Sequence, residues 1–136
     1  MSKYGLLISS ITFIIVLSRC TLNDKTLPVI QNIETSNKSF SIDCIPTSIT
    51  VTADITDPLG ITNAVLWYRV GTDQAYTPVD MDQISGNNYS AIVNALDIPV
   101  GKYGTLEFYI AAEDGAGNQS KSPTDASIEL LPCVAN

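Results

Sequence analysis

The side chains that offer chemistry in this 136-residue chain are mostly oxygen donors. Asp54 and Asp57 stand around the turn Asp57-Pro58-Leu59-Gly60, and Glu113, Asp114 and Asn118 around the turn Gly115-Ala116-Gly117-Asn118. Carboxylate and amide oxygens gathered in one place suit Ca²⁺, a hard cation that takes about six to eight of them. The spacing of a calcium loop, Asp-x-Asp-x-Asp-Gly, is absent from the sequence. The plainer role is turn chemistry: Asp57 accepting from its own turn, Asn118 holding a left-handed position. As a glycosidase pair the same carboxylates would need a sugar-sized cleft at a defined separation, and no base or cation lies near Asp54 or Asp57 in sequence. There is no His, which removes the commonest general base, the Ser-His and Cys-His nucleophile systems and most zinc chemistry. The reading is therefore of a protein that is not an enzyme and has no resident cofactor, Ca²⁺ aside.

Seven Lys and Arg against fourteen Asp and Glu give a net charge of −7. That excludes a general nucleic-acid binder, which needs clustered cations to neutralise phosphates. What is left for recognition is aromatic. Trp67, the single Trp, is followed by Tyr68 and Arg69, and Tyr109 follows Phe108. Trp, Tyr and Arg are the side chains that dominate binding hot spots.

The N-terminus fixes where such chemistry would operate. Lys3 precedes a stretch of 14 residues, 4–17, that is apolar apart from Gly, Ser and Thr. A bilayer-spanning helix needs about 20 residues, so this length fits the core of an export signal. Leu17-Ser18-Arg19-Cys20 then resembles the lipobox of bacterial lipoproteins, with Arg19 where the family has Gly, Ala or Ser. The resemblance implies a lipidated Cys20 as the first mature residue and a lipid anchor in a cell membrane or outer envelope. Ordinary cleavage after Ser18 and an uncleaved short anchor are the alternatives. From Cys20 onward five basic residues face fourteen acidic ones, a net charge of −9, which gives no attraction to anionic lipid heads. With Cys20 lipidated, Cys44 and Cys133 remain as a pair, and an exported chain meets an oxidising compartment. A Cys44–Cys133 disulfide would close a loop of about 90 residues, worth roughly 4 to 5 kcal/mol in the chain-entropy picture. Two unpaired buried thiols are the alternative.

The elements that must position these residues read as strands. Residues 1–19 form the signal peptide, 20–28 a polar tether, and 29–133 one domain. Within it, apolar residues alternate with polar ones, and turn residues interrupt every eight to twelve positions, the all-β signature. Strands are expected at 29–35, 48–55, 61–70, 75–81, 89–93, 105–112 and 127–131. The second is the clearest, with Ile49, Val51, Ala53 and Ile55 on one side. The fourth is expected at a sheet edge, because Pro78 cannot donate to a ladder.

About seven short strands match an immunoglobulin-like, fibronectin III-like antiparallel β-sandwich. The chain also resembles the Ig-like modules of bacterial surface proteins. The resemblance rests on Asp57-Pro58-Leu59-Gly60, on Leu66-Trp67-Tyr68-Arg69, on Tyr76-Thr77-Pro78-Val79-Asp80-Met81, and on the run from Phe108 to Asn118 that closes Asp114-Gly115-Ala116-Gly117-Asn118. It covers roughly residues 28–131 and speaks to fold, since such modules serve as spacers, adhesins and accessory domains alike.

That topology carries three implications. Cys44 and Cys133 fall at one end of the sandwich. The turns after the second and sixth strands meet at the other, bringing Asp54, Asp57, Asp114 and Asn118 together. The third and sixth strands are neighbours, so Trp67, Arg69 and Tyr109 form one outward patch if Leu66, Tyr68 and Val70 point inward. The segment 65–68 is apolar on both faces, and the opposite register would bury Trp67 as a core Trp. The function these readings suggest is a non-catalytic envelope lipoprotein that binds or scaffolds a protein or carbohydrate, with a calcium-dependent adhesion or carbohydrate-binding module as the alternative.

Overall fold

The computed structural model describes residues 24–41, 48–98, 103–123 and 126–131. They form ten strands: β1 (Val29–Thr35), β2 (Ser39–Ser41), β3 (Ser48–Thr56), β4 (Ile61–Val70), β5 (Thr77–Asp80), β6 (Asp82–Ser85), β7 (Asn88–Asn94), β8 (Gly104–Asp114), β9 (Gln119–Lys121) and β10 (Ala126–Leu131). One sheet runs β1-β3-β7-β6 and the other β2-β10-β8-β4-β5, with β9 also paired to β8. All pairs are antiparallel except β2 with β10. The expected two-sheet β-sandwich is the fold.

Period-2 patterning produces this arrangement, because one face of each sheet must leave water. Ile49, Val51, Ala53 and Ile55 on β3 are buried, as are Leu66, Tyr68 and Val70 on β4 and Leu106, Phe108, Ile110 and Ala112 on β8. These side chains, with Tyr89, Val93, Ile128 and Leu130, make one core between the sheets. Burying a large aliphatic or aromatic side chain contributes about 1.5 to 3 kcal/mol, so the central strands of each sheet supply most of the stabilisation. Among the described residues no helix is long and apolar enough to cross a membrane.

The structure adds three strands, β2, β6 and β9, to the seven expected. The expected strand at 75–81 is β5, and a further strand, β6, follows it on the other sheet. β5 pairs with β4 at the edge of its sheet, the position Pro78 requires, and β6 pairs with β7. The chain crosses between sheets at Met81, whose N–H donates to the Ala64 carbonyl at 2.9 Å and whose side chain is buried. The last expected strand, 127–131, is β10, and β9 is an added strand before it; both run along β8, with a break that opens at Ser122 and Pro123. At the break the buried Ser122 hydroxyl accepts the Ile110 N–H at 2.9 Å, so a side chain completes the ladder beside a residue with no N–H. β2 is an added short strand that joins the second sheet after β1 has paired with the first.

Candidate functional site

The outer face of the larger sheet carries a grid of side chains set by register. Trp67 on β4 faces Tyr109 on β8; Val65 faces Ala111, which faces Lys121 on β9; Asn63 faces Glu113, which faces Gln119. Three rows at two-residue spacing span roughly 13 Å along the strands, and three strands about 10 Å across. They line a shallow groove of about 360 Å³. Trp67 is outward, in the first of the two registers left open above, because Leu66 and Tyr68 on either side of it are buried.

The aromatic end of the groove is held in place from several sides. The rings of Trp67 and Tyr109 lie 6.2 Å apart at 11°, and Tyr76 meets Tyr109 edge-on at 4.9 Å. Arg69 is on this face too, with its guanidinium 4.6 Å from the Tyr76 ring centre. Its Nε and Nη2 both donate to Glu107 Oε2, at 2.9 and 2.7 Å. Glu107 raises the already high guanidinium pKa, so Arg69 is committed to this pair and braces Tyr76. Lys121 places its ammonium 5.2 Å from the Tyr109 ring centre. Gln119 Nε2 donates to Glu113 Oε2 at 2.6 Å. Sequence reasoning missed Tyr76 and Lys121. Lys121 carried a faint signal, since Gln119 and Lys121 alternate outward; Tyr76 precedes an edge strand whose pairing partner no local pattern reveals.

The second group lies where the β3–β4 and β8–β9 turns meet. Gly115 N–H donates to the Gly60 carbonyl at 3.1 Å, and Thr62 Oγ1 donates to the Asp114 carbonyl at 2.9 Å. The Asp114 carboxylate is 1% exposed. Its Oδ1 accepts the N–H groups of Ala116 and Asn118, both at 2.8 Å, and its Oδ2 accepts Asn118 Nδ2 at 2.7 Å. Burial pushes its pKa up, but these hydrogen bonds outweigh burial and hold it below the ordinary carboxylate value. Asp57 Oδ1 accepts Leu59 N–H at 2.8 Å, the Asx turn expected, while Asp57 Oδ2 is buried with no hydrogen-bond partner among the described residues.

Of the four residues expected around one cation, the structure brings together Asp57, Asp114 and Asn118. Asp54 is elsewhere. Its carboxylate accepts Asn32 Nδ2 at 2.9 Å and Asn88 Nδ2 at 3.2 Å, and these two bonds lower its pKa. The physical reason is parity: Asp54 points off the solvent side of β3, and a bulge in β1 with Asn32 at φ +51° turns an amide onto it. Asp24, assigned to the tether, joins the group instead. One oxygen each of Asp24, Asp57 and Asp114 lie within 4.8 Å of one another, and Asn118 Nδ2 donates to the Asp24 carbonyl at 3.1 Å. Nothing in sequence signals a contact between residues 94 positions apart. Cys20, Cys44, Cys133 and the signal segment lie outside the described residues.

No protein-family model matches this chain, and no curated protein matches it.

Proposed function

We propose that this chain is an exported, lipid-anchored envelope protein that works by binding rather than catalysis, and that the outer face of the β4–β8–β9 sheet is its binding surface. The observation that carries this is the Trp67–Tyr109–Tyr76 cluster on an outward sheet face, next to a groove. Large rings braced by Arg69 and Lys121 offer contact area at low entropy cost. The position of Asp24 favours this face over the acidic loop end. Asp24 is tied to Asn118 at the turn end of the sandwich, and a lipid on Cys20, four residues earlier, reaches at most about 14 Å from it. The acidic turns would then face the bilayer, leaving the sheet face lateral and free for a protein or carbohydrate. The test has two arms. Labelled palmitate is expected on the intact protein and not on Cys20→Ser; an unlabelled Cys20 removes the anchor. A pull-down from intact envelopes is expected to lose its partner with Trp67→Ala; retention removes the binding face.

A second reading is favoured by one atom, the buried and unpartnered Asp57 Oδ2. Ca²⁺ binds oxygens at about 2.3 to 2.6 Å, so ligands on opposite sides of it stand about 5 Å apart, the spread of Asp24, Asp57 and Asp114. On this reading Ca²⁺ raises the melting temperature of the protein and leaves Asp57→Asn unchanged. No binding heat and no rise in melting temperature remove it.

A further inference from the structure

We infer that the groove takes an oligosaccharide of β-linked pyranoses with equatorial hydroxyls, two to three sugar units at a time. The inference rests on the binding-face reading and names its ligand. Four observations carry it.

The first concerns backbone. The groove lies over the middle of a sheet, where β8 is paired with β4 on one side and β9 on the other. The strand N–H and C=O groups of β8, the central strand of the floor, are therefore spent, and an extended peptide cannot pair with the floor itself; the free strand edge nearby is that of β9, at the border of the groove. A ligand lying on the floor therefore meets side chains there. The second is the floor itself: Trp67 stacked at 11° against Tyr109, which also carries the Lys121 ammonium over its ring, continued by the apolar side chains of Val65 and Ala111. Such a floor matches the axial C–H face of a pyranose, which is flat and apolar. The third is the rim. Asn63 offers an amide that hydrogen-bonds to no described residue, Gln119 and Glu113 add an amide and a carboxylate that are bonded to each other and keep further donor and acceptor capacity, and Lys121 adds an ammonium. Planar amides and carboxylates pair with vicinal hydroxyls, each of which both donates and accepts. Rim charge is balanced by one cation and one anion, which suits a neutral ligand. The fourth is size. About 13 Å of groove length holds two or three sugar rings, and the shallow shape leaves a polymer free to continue at both ends.

The chain's single Trp sits in this groove, so its fluorescence reports occupancy directly. The experiment titrates cellohexaose, chitohexaose and, as the axially linked control, maltohexaose into the full-length protein in a sugar-free detergent. A saturating change in Trp67 emission with a β-linked hexaose and none with maltohexaose is expected. Tyr109→Ala is expected to weaken that binding at least tenfold, and Asn63→Ala and Gln119→Ala several-fold, with unchanged far-ultraviolet circular dichroism. Trp67→Phe, which keeps a ring, is expected to retain part of the affinity by calorimetry while Trp67→Ala loses it. If no oligosaccharide alters emission while an envelope protein is still captured through Trp67, the sugar ligand is overturned and the binding face stands. If neither sugar nor protein depends on Trp67, both are overturned.

Discussion

Asp114 is the residue on which the turn end depends. Its charge is buried and answered by three donors from Ala116 and Asn118. Because its pKa is lower folded than unfolded, it stabilises the fold above the ordinary carboxylate range, and that contribution is lost as pH falls through the folded value. Asp54, lowered by Asn32 and Asn88, and Asp24, lowered by the Thr26 hydroxyl and N–H, act in the same direction. Acid unfolding is therefore expected to set in below about pH 4. In Asp114→Asn the melting temperature is lower at neutral pH, since the new amide can set an N–H against the Asn118 amide, and it changes less between pH 5 and about pH 3. Thermal melts across pH check this; a mutant whose acid arm matches the parent's contradicts it. Asp114 and Asn118 were legible as a turn pair from Asp114-Gly115-Ala116-Gly117-Asn118. Asp24 was not, because only the folded chain brings it to Asn118. Asp54 was misplaced because alternation gives its side of β3 but not Asn32 and Asn88, the partners on neighbouring strands that claim it.

At the scale of elements, the turns after β3 and β8 form one unit. A Cβ on Gly115 would lie 2.9 Å from the Leu59 carbonyl oxygen, closer than backbone atoms tolerate. Gly115→Ala must therefore push the two turns apart and break the Gly115–Gly60 hydrogen bond. A loss of about 2 to 3 kcal/mol, overpacking and the lost hydrogen bond together, is expected by chemical denaturation. Gly117→Ala, at φ +87° but with open space around it, is expected to cost about 1 kcal/mol. Equal losses would show that the contact with Leu59 carries no weight. The long strands were readable because a sandwich buries one face only: 48–55 and 105–112 alternate cleanly and became β3 and β8. The direction of Trp67 was not readable from Val65, Leu66, Trp67 and Tyr68, all of them apolar; packing of Leu66 and Tyr68 decided it. The crossing at Met81 was equally silent, since a buried Met within an alternating run looks like one more strand residue.

At the scale of the whole molecule, the chain enters and leaves at opposite ends. β1 begins opposite Thr56, beside the turns, and β10 finishes opposite Gly104, at the far end. The first segments lie against strands in the two sheets, β1 on β3 and β2 parallel to β10. Tension between the two ends therefore acts along these strands, and in the parallel pair it drags β2 and β10 in opposite directions. All of their hydrogen bonds must slide at once rather than part in sequence. Pulled at Val65 and Asp80, facing residues at the open end of the β4–β5 pair, the same protein would peel bond by bond. Single-molecule extension is expected to need a higher rupture force end to end than through those two points. Load that enters at one end of the described sandwich and leaves at the other thus meets its resistance in shear, at the β2–β10 pair.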